Sequence, residues 1–271
     1  MTELQKVEFN ILKTVIKICE DLKIKYFLVC GSALGAVKYK GFIPWDDDID
    51  VGMLREDYCH FLQKAEGLLP EYYFLQNYHT DPECPFLFSK VRDSRTTYIE
   101  SSVAKINMNH GVFVDIFPLD FYPKSVFKQR VLECKKKIYA HQIACIYNIE
   151  SPRLMSRWLK KFNRLLGYHR KTGKTLEKYE KAISLYRGKR SDIICNHGNW
   201  QGKLEYAPGW HYGDGTWAMF EGLKVRIPEN YDAYLTQKYG NWRADLPKEE
   251  RVGHHFYDIL DLNKPYTEYL K

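Results

Sequence analysis

The chain has 271 residues and a mass of 32.1 kDa, with 45% hydrophobic and 28% charged residues, which is ordinary globular usage and enough length to bury a sizeable core. Its 17 Gly and 11 Pro exclude a collagen-like or low-complexity protein, and no stretch reaches the ~20 uninterrupted apolar residues that a spanning helix needs. The formal net charge of +7 fits a phosphorylated substrate, nucleic acid or an anionic membrane surface and does not choose among them.

In chain order, Leu4, Val7, Ile11, Val15, Ile18 and Leu22 recur every three or four residues, which predicts an amphipathic helix. Glu3, Lys6, Glu8, Lys13 and Lys17 interrupt any signal-peptide apolar region there, so the protein is expected in the cytosol. Tyr26–Cys30 reads as a buried strand ending at Gly31-Ser32, residues 32–39 as a short helix, and Asp48–Met53 as a second strand. Residues 55–67 predict a helix, and 72–78, 86–92 and 111–117 predict further strands. This alternation predicts an α/β or α+β core. The expected division is a catalytic core over 1–122, a lysine-rich helical subregion over 123–190, and an extension over 191–271 that packs on the core. The extension carries a strand at 191–195 and a Pro228-capped helix at 229–239. Seven cysteines, an odd number without a C-x-x-C, read as buried free thiols and not as disulfides or a zinc site.

The run Asp46-Asp47-Asp48-Ile49-Asp50 is where chemistry concentrates. Carboxylates this close repel one another, and among apolar neighbours they are costly unless a cation neutralises them. An extended backbone would put Asp46, Asp48 and Asp50 on one face. Oxygen-only ligands of this kind select Mg²⁺, or Mn²⁺, over zinc. A solvated acidic turn is the plain alternative, which the alternation of Ile49, Val51 and Met53 with the acids speaks against. Upstream, Gly31 allows a backbone to approach a phosphate, and Ser32 with the following amides supplies donors at a helix N-terminus. Asp115, set in Val112-Phe113-Val114-Asp115-Ile116-Phe117, offers the third carboxylate that two-ion phosphoryl-transfer sites use, or else a buried aspartate tied to backbone amides. Asp120, beyond Pro118, reads as a turn or helix-cap residue.

Lys90 and Arg92 stand two apart, so a strand would present both on one face, toward phosphate oxygens or toward solvent. Arg95 and Thr96 are softer candidates for the same pocket. Trp45 either lines the site beside the acids or anchors the core. His211, His254 and His255 lack ligand spacing and read as structural or surface groups. Residues 152–166 predict a helix with one apolar face and a basic remainder, either packed on the core or lying in a membrane interface.

Across Gly31–Val37, Gly41–Met53 with its Ile-Pro-Trp-Asp-x-Asp-x-Asp, Arg55–Tyr58 and Phe113–Asp120, the sequence resembles the LicD family of phosphotransferases, of the nucleotidyltransferase superfold. Phe220–Pro228 and Tyr239–Trp242 resemble the family's tail, although Asn241 stands where many members have aspartate. The resemblance implies a mixed sheet core flanked by helices, with a helical insertion and a C-terminal extension. It implies Asp46, Asp48 and Asp50 as the acidic set, with Asp47 in the variable slot. The activity implied is transfer of a phospho-alcohol, most often phosphocholine, from a CDP-alcohol donor to a glycan hydroxyl of a teichoic-acid or lipopolysaccharide precursor, with release of CMP. On that reading Asp48, Asp50 and Asp115 hold Mg²⁺ and carry catalysis. Gly31, Ser32, Trp45, Asp46, Lys90 and Arg92 bind substrate, and the protein works in the cytoplasm or at the inner membrane face. A D-x-D glycosyltransferase is the competing enzyme reading. Nucleic-acid end modification is disfavoured, because the positive charge is dispersed and no nucleic-acid partner is expected. A non-catalytic binding protein would be expected to have lost one of the acids.

Overall fold

Thr2 opens the first helix, α1 (Glu3–Asp21), through a capping box: its hydroxyl accepts from the Gln5 amide at 3.1 Å, and the Gln5 side chain accepts from the Thr2 amide at 2.9 Å. The computed structural model describes residues 1–146, 172–186, 192–198, 202–253 and 256–270. The stretch 152–166, His254 and His255 therefore lie outside the described residues. After α1 come β1 (Tyr26–Leu28), α2 (Cys30–Lys38), β2 (Asp50–Leu54), α3 (Arg55–Ala65), β3 (Tyr73–Gln76), β4 (Ser89–Asp93), β5 (Thr97–Glu100) and β6 (Val112–Phe121). The rest comprises α4 (Val126–Ile146), α5 (Thr172–Ile183), β7 (Ile193–Asn196), β8 (Tyr206–Pro208), β9 (Thr216–Phe220), β10 (Leu223–Ile227), α6 (Tyr231–Tyr239) and β11 (Tyr257–Asp261).

The main sheet has seven strands in the order β1-β2-β6-β4-β3, with β7 added along the far half of β6 and β8 added to β7. Only β2 and β6 pair in parallel; the other pairs are antiparallel, which makes the class α+β. Pro118 is accommodated in the middle of β6 because β4 pairs with it only as far as Ile116 and β7 takes over at Leu119. The apolar seam of α1 buries Ile11, Leu12, Val15 and Ile18 with Leu28, Val51, Met53, Val91, Val114 and Ile116 of the sheet. A second cluster joins Phe27, Val29, Phe117 and Leu119 to Tyr234, Leu235 and Trp242 at the C-terminal end. No described helix is long and apolar enough to cross a membrane.

Three expectations change. The second strand begins at Asp50 and not at Asp48: residues 46–49 form a loop turned at Pro44, with the Asp46 amide donating back to the Ile43 carbonyl at 2.9 Å. The helix after β1 begins at Cys30, so Gly31 and Ser32 lie in its first turn. Asp120 is no cap: it is buried and takes a bidentate pair from Arg55 at 2.8 and 2.6 Å. Arg55 also donates to Glu180 at 2.7 Å, and Glu180 accepts from the Tyr78 hydroxyl, so one guanidinium ties α3, β6 and α5 together. Removing one partner strands the other as a buried charge, so Asp120→Ala is expected to cost about 3–5 kcal/mol. Urea unfolding of the variant measures this; a loss under about 1 kcal/mol would mean that the pair behaves as a surface contact.

Candidate active site

The parallel pairing of β2 with β6 places Asp50 opposite Asp115, and the antiparallel pairing of β6 with β4 places Lys90 opposite Asp115. Asp50, Asp115 and Lys90 thus form a row across three adjacent strands. All three are buried. The Lys90 ammonium lies 2.9 Å from Asp115 and 3.5 Å from Glu100, and 3.3 Å from the centroid of the Phe113 ring, with Phe86 and Phe88 at 5.0 and 5.5 Å. Burial dominates the ionisation of Asp115 and pushes its carboxyl up to about 6 against the opposing pull of Lys90, while Glu100 pushes the same way as burial.

The acidic loop runs directly into Asp50 of this row. Oxygens of Asp46, Asp47 and Asp48 lie within 4.8 Å of one another, and all three side chains are half-buried. They are the sole such carboxylate trio among the described residues. The sequence pattern expected Asp46, Asp48 and Asp50 to alternate on one face, with the ion held by Asp48, Asp50 and Asp115. A loop in place of a strand brings Asp47 to the cluster, while Asp50 and Asp115 stay with the sheet. An oxygen-only donor set with open solvent on one side suits a hard divalent cation that keeps some of its water.

Several elements hold the loop. Gln5 of the capping box donates to the Asp46 carbonyl at 2.9 Å. The Ser32 hydroxyl accepts from the Asp50 amide at 2.8 Å, which leaves its own proton available for donation and locks α2 to the start of β2. A Cβ on Gly31 would stand 2.7 Å from the Asp46 Oδ2, so only glycine allows that carboxylate to lie against the first turn of α2. The left-handed residue at this turn is Cys30 (φ 51°), whose amide donates to the Tyr234 hydroxyl at 3.1 Å. The β9–β10 turn adds Glu221, which accepts from the Phe42 amide at 3.2 Å.

Of the remaining candidates, Trp45 is half-buried, with Tyr39 edge-on at 6.1 Å and the Arg251 guanidinium over its ring at 5.3 Å. Arg92 shares the face of Lys90 as expected, but is fully buried and spent internally, donating to Gln76, to the Gly111 carbonyl and to Glu100. It orients the partner of Lys90 and is not placed to meet a phosphate. Arg95 pairs with Asp93 and stacks on Tyr72 beside α1, where it lines a cleft of about 660 Å³ that none of Asp46–Asp50 lines, and Thr96 donates to the Asp93 carbonyl. His211 is buried, and burial lowers its basicity. Sequence reasoning missed Gln5, Glu100, Arg251 and Gly253, whose Cβ would stand 2.6 Å from the Asp47 carboxylate. Thr2-x-x-Gln5 was a visible capping signal; the others reach the site through long-range packing that no local pattern encodes.

Because the folded-state pKa of Asp115 lies above that of an unfolded aspartate, its contribution to stability is present at low pH and is lost as pH rises through about 6. Asp115→Asn removes that loss. The variant should gain stability relative to the parent between about pH 4 and pH 7, read from urea unfolding at several pH values; a difference independent of pH would show that Asp115 is not held in this way.

Residues 23–149 match the family described as LicD/FKTN/FKRP, nucleotidyltransferase domain. The chain is 29% identical to the lipopolysaccharide cholinephosphotransferase LicD of Haemophilus influenzae, over 97% of this chain and 98% of that protein. It is 29% identical to an uncharacterised protein of Rickettsia prowazekii over 48% of this chain and 45% of that one. It is also 32% identical to the human ribitol 5-phosphate transferase FKRP, over 41% of this chain and only 19% of that protein. The matched span contains α2, the acidic loop, β2, β4 and β6, which between them carry every residue of the row and the cluster. Residues 23–149 thus match a nucleotidyltransferase domain of the LicD family, within a chain similar over nearly its whole length to a cholinephosphotransferase.

Proposed function

We propose that the protein transfers a phospho-alcohol, with phosphocholine from CDP-choline as the leading donor, to a hydroxyl of a cell-surface glycan precursor and releases CMP. The observation that carries this reading is the row Asp50–Asp115–Lys90, continuous in sequence with three clustered carboxylates and tied to the first turn of α2 through Ser32, in a chain that aligns end to end with a cholinephosphotransferase. Ser32, whose oxygen accepts from the Asp50 amide, keeps its own O–H for donation to a phosphate oxygen, and the Gly31 and Ser32 amides in the first turn of α2 add to it, the Cys30 amide being taken by Tyr234. The carboxylates of the loop, with Asp50, would hold Mg²⁺ or Mn²⁺, which when bound supplies charge neutralisation for the diphosphate and the departing CMP.

Asp115 is the base of choice. The acceptor hydroxyl gives its proton to the Asp115 carboxylate as its oxygen bonds to the donor's alcohol-bearing phosphorus; the bond from that phosphorus to the CMP oxygen breaks, and CMP leaves with the electron pair. A carboxyl poised near 6 is ionised at neutral pH yet basic enough to accept that proton, and Lys90 fixes its position. Trp45 supports choline as the alcohol: its ring beside the acids already carries one cation, Arg251, in the manner of an ammonium recognition face. A ribitol or glycerol phosphate is the second reading, favoured by the match to the ribitol 5-phosphate transferase.

Incubation with Mg²⁺, a glycan acceptor and a panel of CDP-alcohols, with CMP release as the readout, tests the reaction. CMP should appear with CDP-choline. Asp48→Asn and Asp50→Asn should each lower the rate by at least about 10²-fold with unchanged circular dichroism. Retained turnover in either variant would refute the assignment of the acids, and UDP release from a UDP-sugar in place of CMP would establish a glycosyltransferase. Trp45→Ala should raise KM for CDP-choline several-fold while leaving a CDP-polyol little affected; an equal effect on both would remove Trp45 from alcohol recognition.

A further inference from the structure

Helix α4 exposes apolar side chains where a helix in water should be polar. Phe127 is 75% exposed, Val126 61%, Ile138 51% and Val131 39%. Phe127, Val131, Cys134 and Ile138 follow one another at steps of four, three and four, so they form a single seam along the helix. Cations border this seam on both sides. At 100° per residue, Lys128 and Lys135 fall on one flank and Arg130 and Lys137 on the other, and all four are exposed.

The opposite face is fully used. Leu132 and Ile143 pack with Leu176, Tyr179 and Ile183 of α5, and Tyr139 stacks on Tyr179 with centroids 5.5 Å apart. Glu133, the one acid of α4, points away from the seam: it accepts from the Tyr206 hydroxyl at 2.5 Å and pairs with Lys136 at 3.2 Å. The exposed half of the helix is therefore apolar along its centre, cationic along both edges and free of carboxylates.

We propose that α4 docks the protein on the surface of an anionic lipid bilayer. Phe127, Val131 and Ile138 enter the boundary between headgroups and acyl chains, and Lys128, Arg130, Lys135 and Lys137 meet the lipid phosphates with their long side chains. Cations on both borders of a narrow apolar seam match the two-sided charge of a headgroup layer around an inserted strip. A protein groove would need its own acids placed on both edges. The docking face shares no residue with the acidic loop or the row and does not depend on the reaction assigned to them.

The test is cosedimentation of the full chain with phosphatidylglycerol–phosphatidylcholine vesicles at low and high salt, alongside pure phosphatidylcholine vesicles. The protein should pellet with the anionic vesicles at low salt, less at high salt, and not with phosphatidylcholine alone. The double variant Phe127→Glu/Ile138→Glu should lower partitioning by about tenfold or more, and Lys128→Glu/Lys137→Glu should lower it as well. All four positions are exposed, so thermal unfolding should not change. Absence of binding to anionic vesicles, or binding indifferent to both double variants, would overturn the proposal. So would a dimer in sedimentation velocity that Phe127→Glu/Ile138→Glu dissolves, because the seam would then be an interface between copies of the chain.

Discussion

Asp50, Asp115 and Lys90 stand side by side because β2 runs parallel to β6 while β4 runs antiparallel to it, and each pairing is fixed in register. A slip of one residue in either ladder would turn Asp115 or its partners to the opposite face, into the seam of Val114, Ile116 and Val91 that packs on α1. The alternation of apolar residues along β6 therefore does two things at once. It anchors the sheet to its helices, and it fixes which carboxylate meets which cation. With Asp115 pushed toward protonation by burial and held by Lys90, the row carries a local electrostatic cost, and under the proposed function that cost sets a proton acceptor near neutral pH.

The acidic loop depends on supports drawn from distant parts of the chain. Gln5 fixes it from α1, Ser32 and Gly31 from α2, Glu221 from the β9–β10 hairpin, and Gly253 with Arg251 from the segment before β11. Three mutually repelling carboxylates would otherwise spread into solvent. Holding the backbone on several sides keeps them converged, so the free energy of bringing the charges together is met by folding and not by ligand binding.

Much of this was legible in the sequence, and the reasons for the rest are physical. The seam of α1, the strand and helix of β1 and α2, and the burial of Asp50 and Asp115 among apolar strand residues follow from periodicity and from the rarity of acids in such runs. The conformation of residues 46–49 did not follow, because alternation of Ile49, Val51 and Met53 is shared by a strand and by the loop that feeds one. Arg92 illustrates a different gap: period two placed it correctly on the face of Lys90, yet whether a guanidinium meets a ligand or Glu100 depends on what covers the sheet edge. Asp120 read as a cap from Pro118 nearby, while its true partner, Arg55, lies 65 residues away in sequence.

The proposed function requires the acidic loop and the Asp50–Asp115–Lys90 row to act as one site. Anomalous diffraction from crystals grown with Mn²⁺ and a CDP-alcohol tests this most directly. A manganese peak coordinated by carboxylates of the Asp46–Asp50 run is expected, with the donor's diphosphate between that ion and the first turn of α2. A diphosphate bound elsewhere, or manganese away from these carboxylates, would contradict that requirement.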